Sequence, residues 1–340
     1  SSDEMSVAGR ESYSVLRSRF DRWLAQKAED AGAEYIYGIA VEELLKQGDR
    51  VVGIKAGDDE ITADVVVLCD GVNSLLSASA VGFKRPGANK LAVGLKQVIE
   101  LPATTIEDRL LVGEDGGAAW LFAGDATKGH VGGGFMYTNR DSISLGIVAT
   151  IADITHAATP IYQMLEDLKA HPALAPLIKG GKVVEHSGHM VPEGGREMMP
   201  SLVGDGVLLA GDSAMMCLNL GYMVRGMDYA VAAGMFAGRA AAAAIEQGDT
   251  SATGLRPYVE ALENSFVLKD FEQFKNFPHF MESTPRMFNE YPAMIRDVMN
   301  TLFVVDGSPV VPLKKSLVPI VKKVGFKNLL KDAWKGSKAL

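Results

Sequence analysis

Only two cysteines occur in 340 residues, Cys69 and Cys217. That is too few for a disulfide framework, a structural zinc site or an iron–sulfur cluster, each of which normally draws on about four ligands. Both lie in apolar runs, VVVLCDG and AMMCLNL, so they are expected as buried free thiols in a reducing, cytoplasmic setting. No apolar run reaches the roughly 18 residues of a membrane span, and no signal peptide opens the sequence. Basic excess is missing as well. A formal charge of -8 is the wrong sign for a surface that must neutralise phosphates, which argues against nucleic acid as a partner. Nor is there a strand–G-x-G-x-x-G–helix unit with an acid downstream, since GGGFMYT and EDGGAAW have other spacings.

What is present is ordinary globular material, 47% hydrophobic and 22% charged, long enough for two domains or one large one. SYSVLRSRFDRWLAQKAEDAGAEY carries Leu16, Phe20, Trp23 and Leu24 at helical spacing, with Gly32 as the stop. Short β-rich runs follow, turning at QGDR and GDDE, and the run Val65 to Cys69 is apolar throughout, as a strand covered on both faces would be. LAVGLKQVIEL, GGAAWLFAG, HVGGGFMYT and SISLGIVAT predict a mostly antiparallel sheet. A helix near Ile161 to Leu168 and a strand near Val183 to Ser187 come next. The buried strand GVLLA and a small-residue helix follow, then an aromatic-rich helical region over 255–306 and a Lys-rich amphipathic tail.

Three pieces stand out as candidates for chemistry. Arg17 sits with Phe20 and Asp21 on the opening helix. ADVVVLCDGVNS delivers Asp70-Gly71 to the end of one apolar strand, and GVLLAGDSA delivers Gly211-Asp212 to the end of another. Ligands bind outside the carboxyl ends of strands in open α/β sheets, where glycine admits close backbone approach and aspartate accepts bonds from sugar or ribityl hydroxyls. Either pair is equally readable as a plain turn-former. In the same way Gly132 to Phe135 either lets backbone approach a ring or eases a bend in a strand.

R-x-x-F-D on a helix, D-G after a strand, and AGDSA followed by RGMDYAVAAG resemble the FAD-binding fold of the para-hydroxybenzoate hydroxylase type. SYSVLRSRFD, VGGGFMYTNRDSISLGIV, HPALAPLIKGGKVVEHSGHMVPEGG, CLNLGYMVRGMDYA and KKVGFKNLLKD are similar, in family order, to the FixC family, which itself resembles electron-transfer-flavoprotein:quinone oxidoreductase. The resemblance implies an α/β, Rossmann-like FAD/NAD(P)-binding fold with an inserted, mostly antiparallel sheet and a helical C-terminal region. Its parts would be residues 1–88 and 191–254 for the FAD-binding domain, 89–190 for the substrate or quinone side, and 255–340 for the helical region. It also implies a first βαβ unit of roughly 80 to 100 residues before Ser1, carrying the adenine–ribose and pyrophosphate sites.

By the same resemblance Asp212 would bond the ribityl chain of FAD, with Gly211 and Ser213 shaping the turn, Arg17 reaching the phosphate–ribityl region and Asp70-Gly71 lining the groove. Asn219, Gly226 and Met227 would lie beside the isoalloxazine. No catalytic side chain is implied, because the flavin carries the redox chemistry. Met215 stands where the family has a small residue, and would narrow or re-pack the groove. The implied function is electron transfer from an electron-transfer flavoprotein (FixAB-like) to quinone or to a ferredoxin-like FixX-type partner. Two alternatives are a geranylgeranyl-reductase-type enzyme and a flavin-free docking scaffold. His186 and His189, three apart in a strand, would point to opposite faces and are not read as metal ligands. The tail from Gly307 holds eight lysines and a single acid, Asp332; its Ile320, Val321, Val324, Leu329, Leu330 and Trp334 suit either a core-packed helix or peripheral contact with the cytoplasmic membrane.

Overall fold

Turn glycines and alternating apolar residues divide the first half of the chain into short strands. A computed structural model describes residues 12–114 and 116–340. The helix Arg17–Asp30 comes first. It is tied to the rest through Ser14 Oγ, which donates to the Thr138 carbonyl at 2.6 Å, and through an Arg19–Asp141 pair at 2.9 Å. The strands β1 (Glu43–Gln47), β2 (Arg50–Ala56) and β3 (Asp59–Thr62) make an antiparallel meander with two-residue links at Gly48-Asp49 and Gly57-Asp58, as the turn signals predict. β4 (Val66–Leu68) follows directly.

The predicted antiparallel sheet is present with five strands. β5 (Leu91–Glu100), β6 (Ala119–Phe122), β7 (Gly132–Thr138), β8 (Ser142–Thr150) and β9 (Lys182–Pro192) lie in the order β6-β7-β8-β5-β9, every neighbour antiparallel. One face is closed by the helix Ile161–Ala170, whose Met164, Leu165 and Leu168 pack on Ile99, Met136, Ile143, Leu145 and Ile147. The three glycines at the start of β7 are demanded by the sheet itself. A Cβ on Gly132 (φ +143) would fall 2.1 Å from the Val148 oxygen, and one on Gly133 2.5 Å from the Phe122 oxygen. Of the two readings offered for this stretch, strand packing accounts for the glycines without a ligand.

The chain then returns to β4. The strands β10 (Val203–Gly204) and β11 (Val207–Leu209) form a small sheet ordered β10-β11-β4, in which β11 and β4 run parallel with Leu209 opposite Leu68. Against it packs the 21-residue helix Met227–Gln247, whose buried Ala232, Ala233 and Ala237 keep helix and sheet close. Tyr258, Leu262 and Phe271 of two later helices complete this core, and the buried Tyr258 hydroxyl donates to the Leu209 carbonyl at 2.7 Å. A hairpin, β12 (Leu218–Asn219) with β13 (Val224–Arg225), leads into the long helix. A third apolar cluster, Val72, Leu91, Met198 and Met215, joins the two sheets at their shared end.

Two expectations are corrected here. Among the described residues, the run Val65 to Cys69 is not covered on both faces: Val66 and Leu68 are buried, but Val67 and Cys69 are exposed, because only one face of β4 rests on the core. Cys69 is therefore a surface thiol, and only Cys217 is buried. A thiol reagent should accordingly label one cysteine in the folded chain and the second only after denaturation. Two reacting thiols under native conditions, or none, would contradict this placement.

The tail carries, among the described residues, features of both of its readings. Its helices Leu313–Val324 and Phe326–Ala339 fold back, so that Ile320 and Val324 are buried while Leu330 and Trp334 stay exposed. Its one acid, Asp332, is buried. Arg286 donates to both its oxygens at 2.8 and 3.1 Å, and the Tyr291 hydroxyl at 2.6 Å.

Candidate functional site

Parallel pairing of β4 with β11 brings their carboxyl ends side by side, and so unites two sequence pieces 143 residues apart. The staple is Ser213. Its fully buried hydroxyl donates to Asp70 Oδ1 at 2.8 Å and accepts from the Gly71 N–H, also at 2.8 Å. Gly71 (φ +82) and Gly211 (φ +62) both adopt left-handed backbone, which a side chain would strain. A Cβ at Gly71 would meet nothing within 4 Å, so the backbone at that strand end faces open space.

Asp212 projects from the short turn Gly211–Ala214 that follows β11. Among the described residues its carboxylate accepts no hydrogen bond, although the side chain is only 27% exposed. The ring Nε2 of His189 lies 4.0 Å from Asp212 Oδ2, an ion pair whenever the imidazole carries its second proton. Burial pushes the Asp212 carboxyl above its ordinary value; His189 and Arg17 partly offset that by favouring the ionised form. Arg17 is exposed and holds Asp21 through two bonds, Nε to Oδ1 at 2.7 Å and a second guanidinium nitrogen to Oδ2 at 2.9 Å. It touches Asp212 only through its field.

The remaining predicted residues lie on the loop from Met215 to Gly226 and the helix start beyond it. Asn219 Nδ2 donates to Glu193 Oε1 at 3.3 Å, while its Oδ1 accepts the Gly221 N–H at 2.9 Å. Gly226 is the residue before the helix Met227–Gln247, whose first turn has no side-chain cap. Met227 is 39% exposed and, with Phe20, Val231, Met235 and Phe266, lines an open apolar groove of about 430 Å³. Met215 does not stand in an open groove. It is 2% exposed, packed with Val72, Leu91 and Met198, and re-packs the junction rather than obstructing the strand ends.

The structure thus gathers Asp70, Gly71, Gly211, Asp212 and Ser213 into one place. Asn219, Gly226 and Met227 border it by chain connectivity, and Arg17 lies at its edge. Two residues given no role by the sequence join them. His189 reaches Asp212 because it faces the opposite way from His186, whose Nδ1 meets Gln97 on the helix-covered side at 3.0 Å. Glu193 holds Asn219 and Thr150 together. Neither carries a local signal; each is brought in by the pairing of β9 with β5.

Chemically, the strand ends offer acceptors and bare backbone, a surface for a polyhydroxylated ligand rather than a nucleophile. Partial enclosure of the Cys69 sulfur, exposed residue though it is, and the charge of Asp70 push that thiol up, and full burial pushes Cys217 far above the ordinary range, so neither is poised as a thiolate. An unbonded carboxylate beside a Cβ-free strand end fits the donating hydroxyls of a ribityl or sugar chain.

Known proteins agree with this architecture. The chain is similar in fold to a geranylgeranyl bacteriochlorophyll reductase-like protein from Thermoplasma acidophilum (TM-score 0.64, 17% identity, 96% of this chain and 77% of the other). It is also similar to the flavin-dependent brominase Bmp2 (TM-score 0.58, 18% identity, 92% and 77%). At such identities the likeness concerns the fold alone, which is that of FAD/NAD(P)-binding proteins. In sequence, the ETF-QO/FixC family C-terminal domain matches residues 277–340. The chain is 48% identical over 338 residues to the probable electron transfer flavoprotein-quinone oxidoreductase YdiS of Escherichia coli K12, covering 99% of this chain and 79% of that protein. It is 37% identical to protein FixC of Bradyrhizobium diazoefficiens, over 96% of this chain and 76% of that one. With this extent of identity along the whole length, the chain belongs to the ETF-QO/FixC family of flavoprotein electron-transfer oxidoreductases.

Proposed function

We propose that this chain holds the flavin end of FAD at the joined ends of β4 and β11, and relays electrons from an electron-transfer flavoprotein to quinone or to a ferredoxin-like partner. The observation that carries the reading is Asp212, a largely buried carboxylate without a hydrogen-bond donor among the described residues, beside the bare backbone of Gly71. In this reading Asp212 accepts ribityl hydroxyls. Arg17, His189 and the field they set up face the phosphate side. Ser213 keeps the two strand ends in register, with Asp70, Gly71 and Gly211 forming the floor. Asn219, Gly226 and Met227 border the ring. The bound flavin would supply the electron-carrying chemistry. The open face of the antiparallel sheet would shape the quinone side, and the exposed Leu330 and Trp334 among the tail lysines would dock the ferredoxin-like partner or a membrane surface. Among the described residues, no helix is long and apolar enough to cross a membrane.

FAD titration followed by absorbance and fluorescence tests this, on the chain as it stands and on one extended upstream to the length of its relatives. Asp212→Ala is expected to weaken binding roughly 10- to 100-fold, the loss of hydrogen bonds to a charged acceptor worth about 1.5–3 kcal/mol. Equal affinity in wild type and Asp212→Ala would reduce Asp212 to a turn-former and remove the proposal. The electron route is checked by reducing the flavin with a reduced electron-transfer flavoprotein and then offering a quinone. Failure of electrons to enter from that donor would remove the relay even if FAD is bound.

A further inference from the structure

Glu193 is bound from three directions at the place where the two sheets meet. Its N–H donates to the Lys90 carbonyl at the entry to β5 (2.9 Å), the Thr150 hydroxyl at the end of β8 donates to its Oε2 (2.9 Å), and Asn219 Nδ2 donates to its Oε1 (3.3 Å). Asn219 is thereby oriented. With Nδ2 committed to Glu193, its Oδ1 is left to receive the Gly221 N–H, which closes the turn inside the β12–β13 hairpin.

We propose that Glu193 is the positioning residue of the Met215–Gly226 loop: its carboxyl, bridging Thr150 and Asn219, sets the rotamer of Asn219 and ties the order of that loop to the antiparallel sheet. The inference rests on the reading above for what the loop faces, a flavin ring, but the bridge is a property of this chain alone.

Acid–base behaviour gives the bridge a distinctive mark. Burial pushes the Glu193 carboxyl above its ordinary value and Asp153 nearby adds to this, outweighing the bonds from Thr150 and Asn219. The buried Cys217 thiol, which feels Glu193 together with Asp212 and Asp228, stays neutral. A folded-state value above the unfolded one means that the contribution is complete below the ordinary glutamate value of about 4.3 and is lost as pH rises through the folded value. Glu193→Gln keeps an acceptor for Asn219 Nδ2 at its Oε1 and turns its Nε2 to the Thr150 hydroxyl, which then accepts instead of donating, so the bridge persists in a group that does not titrate.

The test is amide hydrogen exchange on the chain without added flavin, read as protection of the 216–226 peptides across a pH series that starts near the ordinary glutamate value of about 4.3 and rises from there. Glu193→Ala should lower that protection roughly tenfold, Asn219→Ala should do the same, and the double variant should lose no more than either alone. Glu193→Gln should restore protection to within about twofold and remove the fall in protection that accompanies ionisation of Glu193 as pH rises. Glu193→Gln as loose as Glu193→Ala, or loosening spread evenly over β5 and β8, would overturn the proposal. So would additive losses in the double variant. If Glu193→Ala does not fold, Asn219→Ala and Glu193→Gln still decide, because a tight loop in the first or a loose one in the second is fatal. FAD titration is run in parallel: exchange results as expected with no FAD binding in the wild type would sink the flavin reading and leave the bridge standing.

Discussion

Asp332→Ala should cost about 3 kcal/mol of stability and release the last helix from the body of the chain. Asp332 is 3% exposed and is the single acid among eight lysines from Gly307 onward. Its removal would leave the Arg286 guanidinium, which donates to both carboxylate oxygens, and the Tyr291 hydroxyl without their acceptor. Breaking a buried pair from one side costs about 3–5 kcal/mol, because the surviving charge remains without its partner. Arg286 retains 24% exposure and can recruit water, which places the effect at the lower end of that range.

Equilibrium unfolding in urea measures the loss, and limited proteolysis shows where it falls, with new cleavage expected after lysines of the Phe326–Ala339 helix. The pH dependence has a definite sign. Arg286 holds the Asp332 carboxyl below its ordinary value, with Tyr291 adding to this. Its contribution is therefore present above the ordinary aspartate value of about 3.9 and disappears as pH falls through the folded value. Wild type should approach Asp332→Ala in stability only in acid. Equal protease resistance at neutral pH would mean that the helix is held by Gly336 against Phe280 and by Ala339 in the core, rather than by the ion pair.

Gly132→Ala should be similarly damaging, at about 3 kcal/mol. Two causes combine. Its φ of +143 lies where side chains are strained, and its Cβ would stand 2.1 Å from the Val148 oxygen in a paired strand, with backbone on both sides. Backbone strain of this kind costs about 1–3 kcal/mol, and overpacking adds about 1–3 kcal/mol. Gly113→Ala is the control, since that glycine has no positive φ and a methyl added to it would meet no atom within 4 Å. If Gly132→Ala unfolds at the same urea concentration as Gly113→Ala, the sheet does not need the glycine. The explanation would then move to close approach of a ligand, leaving flavin or quinone binding as the property to measure.

The strands and the pair of strand-end acids were legible in the residues because their signals are local. Period-two patterning marks β5 to β8, and a run of small and apolar residues ending in Gly-Asp marks a strand that must stop and turn. Even the depth of the strand before Asp70 could not be inferred that way. An apolar run states what a strand tolerates on each face, whereas cover depends on which layers pack over those faces, and among the described residues only the Val66 and Leu68 side of β4 meets the core. The same limit misplaced Cys69 and left the tail ambiguous: Ile320 and Leu330 share an apolar stripe in sequence, but one is 8% exposed and the other 72%.

By itself, then, the sequence determined the class of elements, the antiparallel sheet and the family, since these depend on short-range periodicity and on residue identities preserved in order along the chain. Tertiary structure alone decided the site. Parallel pairing of β4 with β11 put Asp70 and Ser213 within 2.8 Å, the pairing of β9 with β5 carried His189 to Asp212, and the chain's return past Lys90 set Glu193 between Thr150 and Asn219. Each of those contacts joins residues more than twenty positions apart. No local pattern records such a contact, because its energy is gained only when both segments are already held in place by the cores they share.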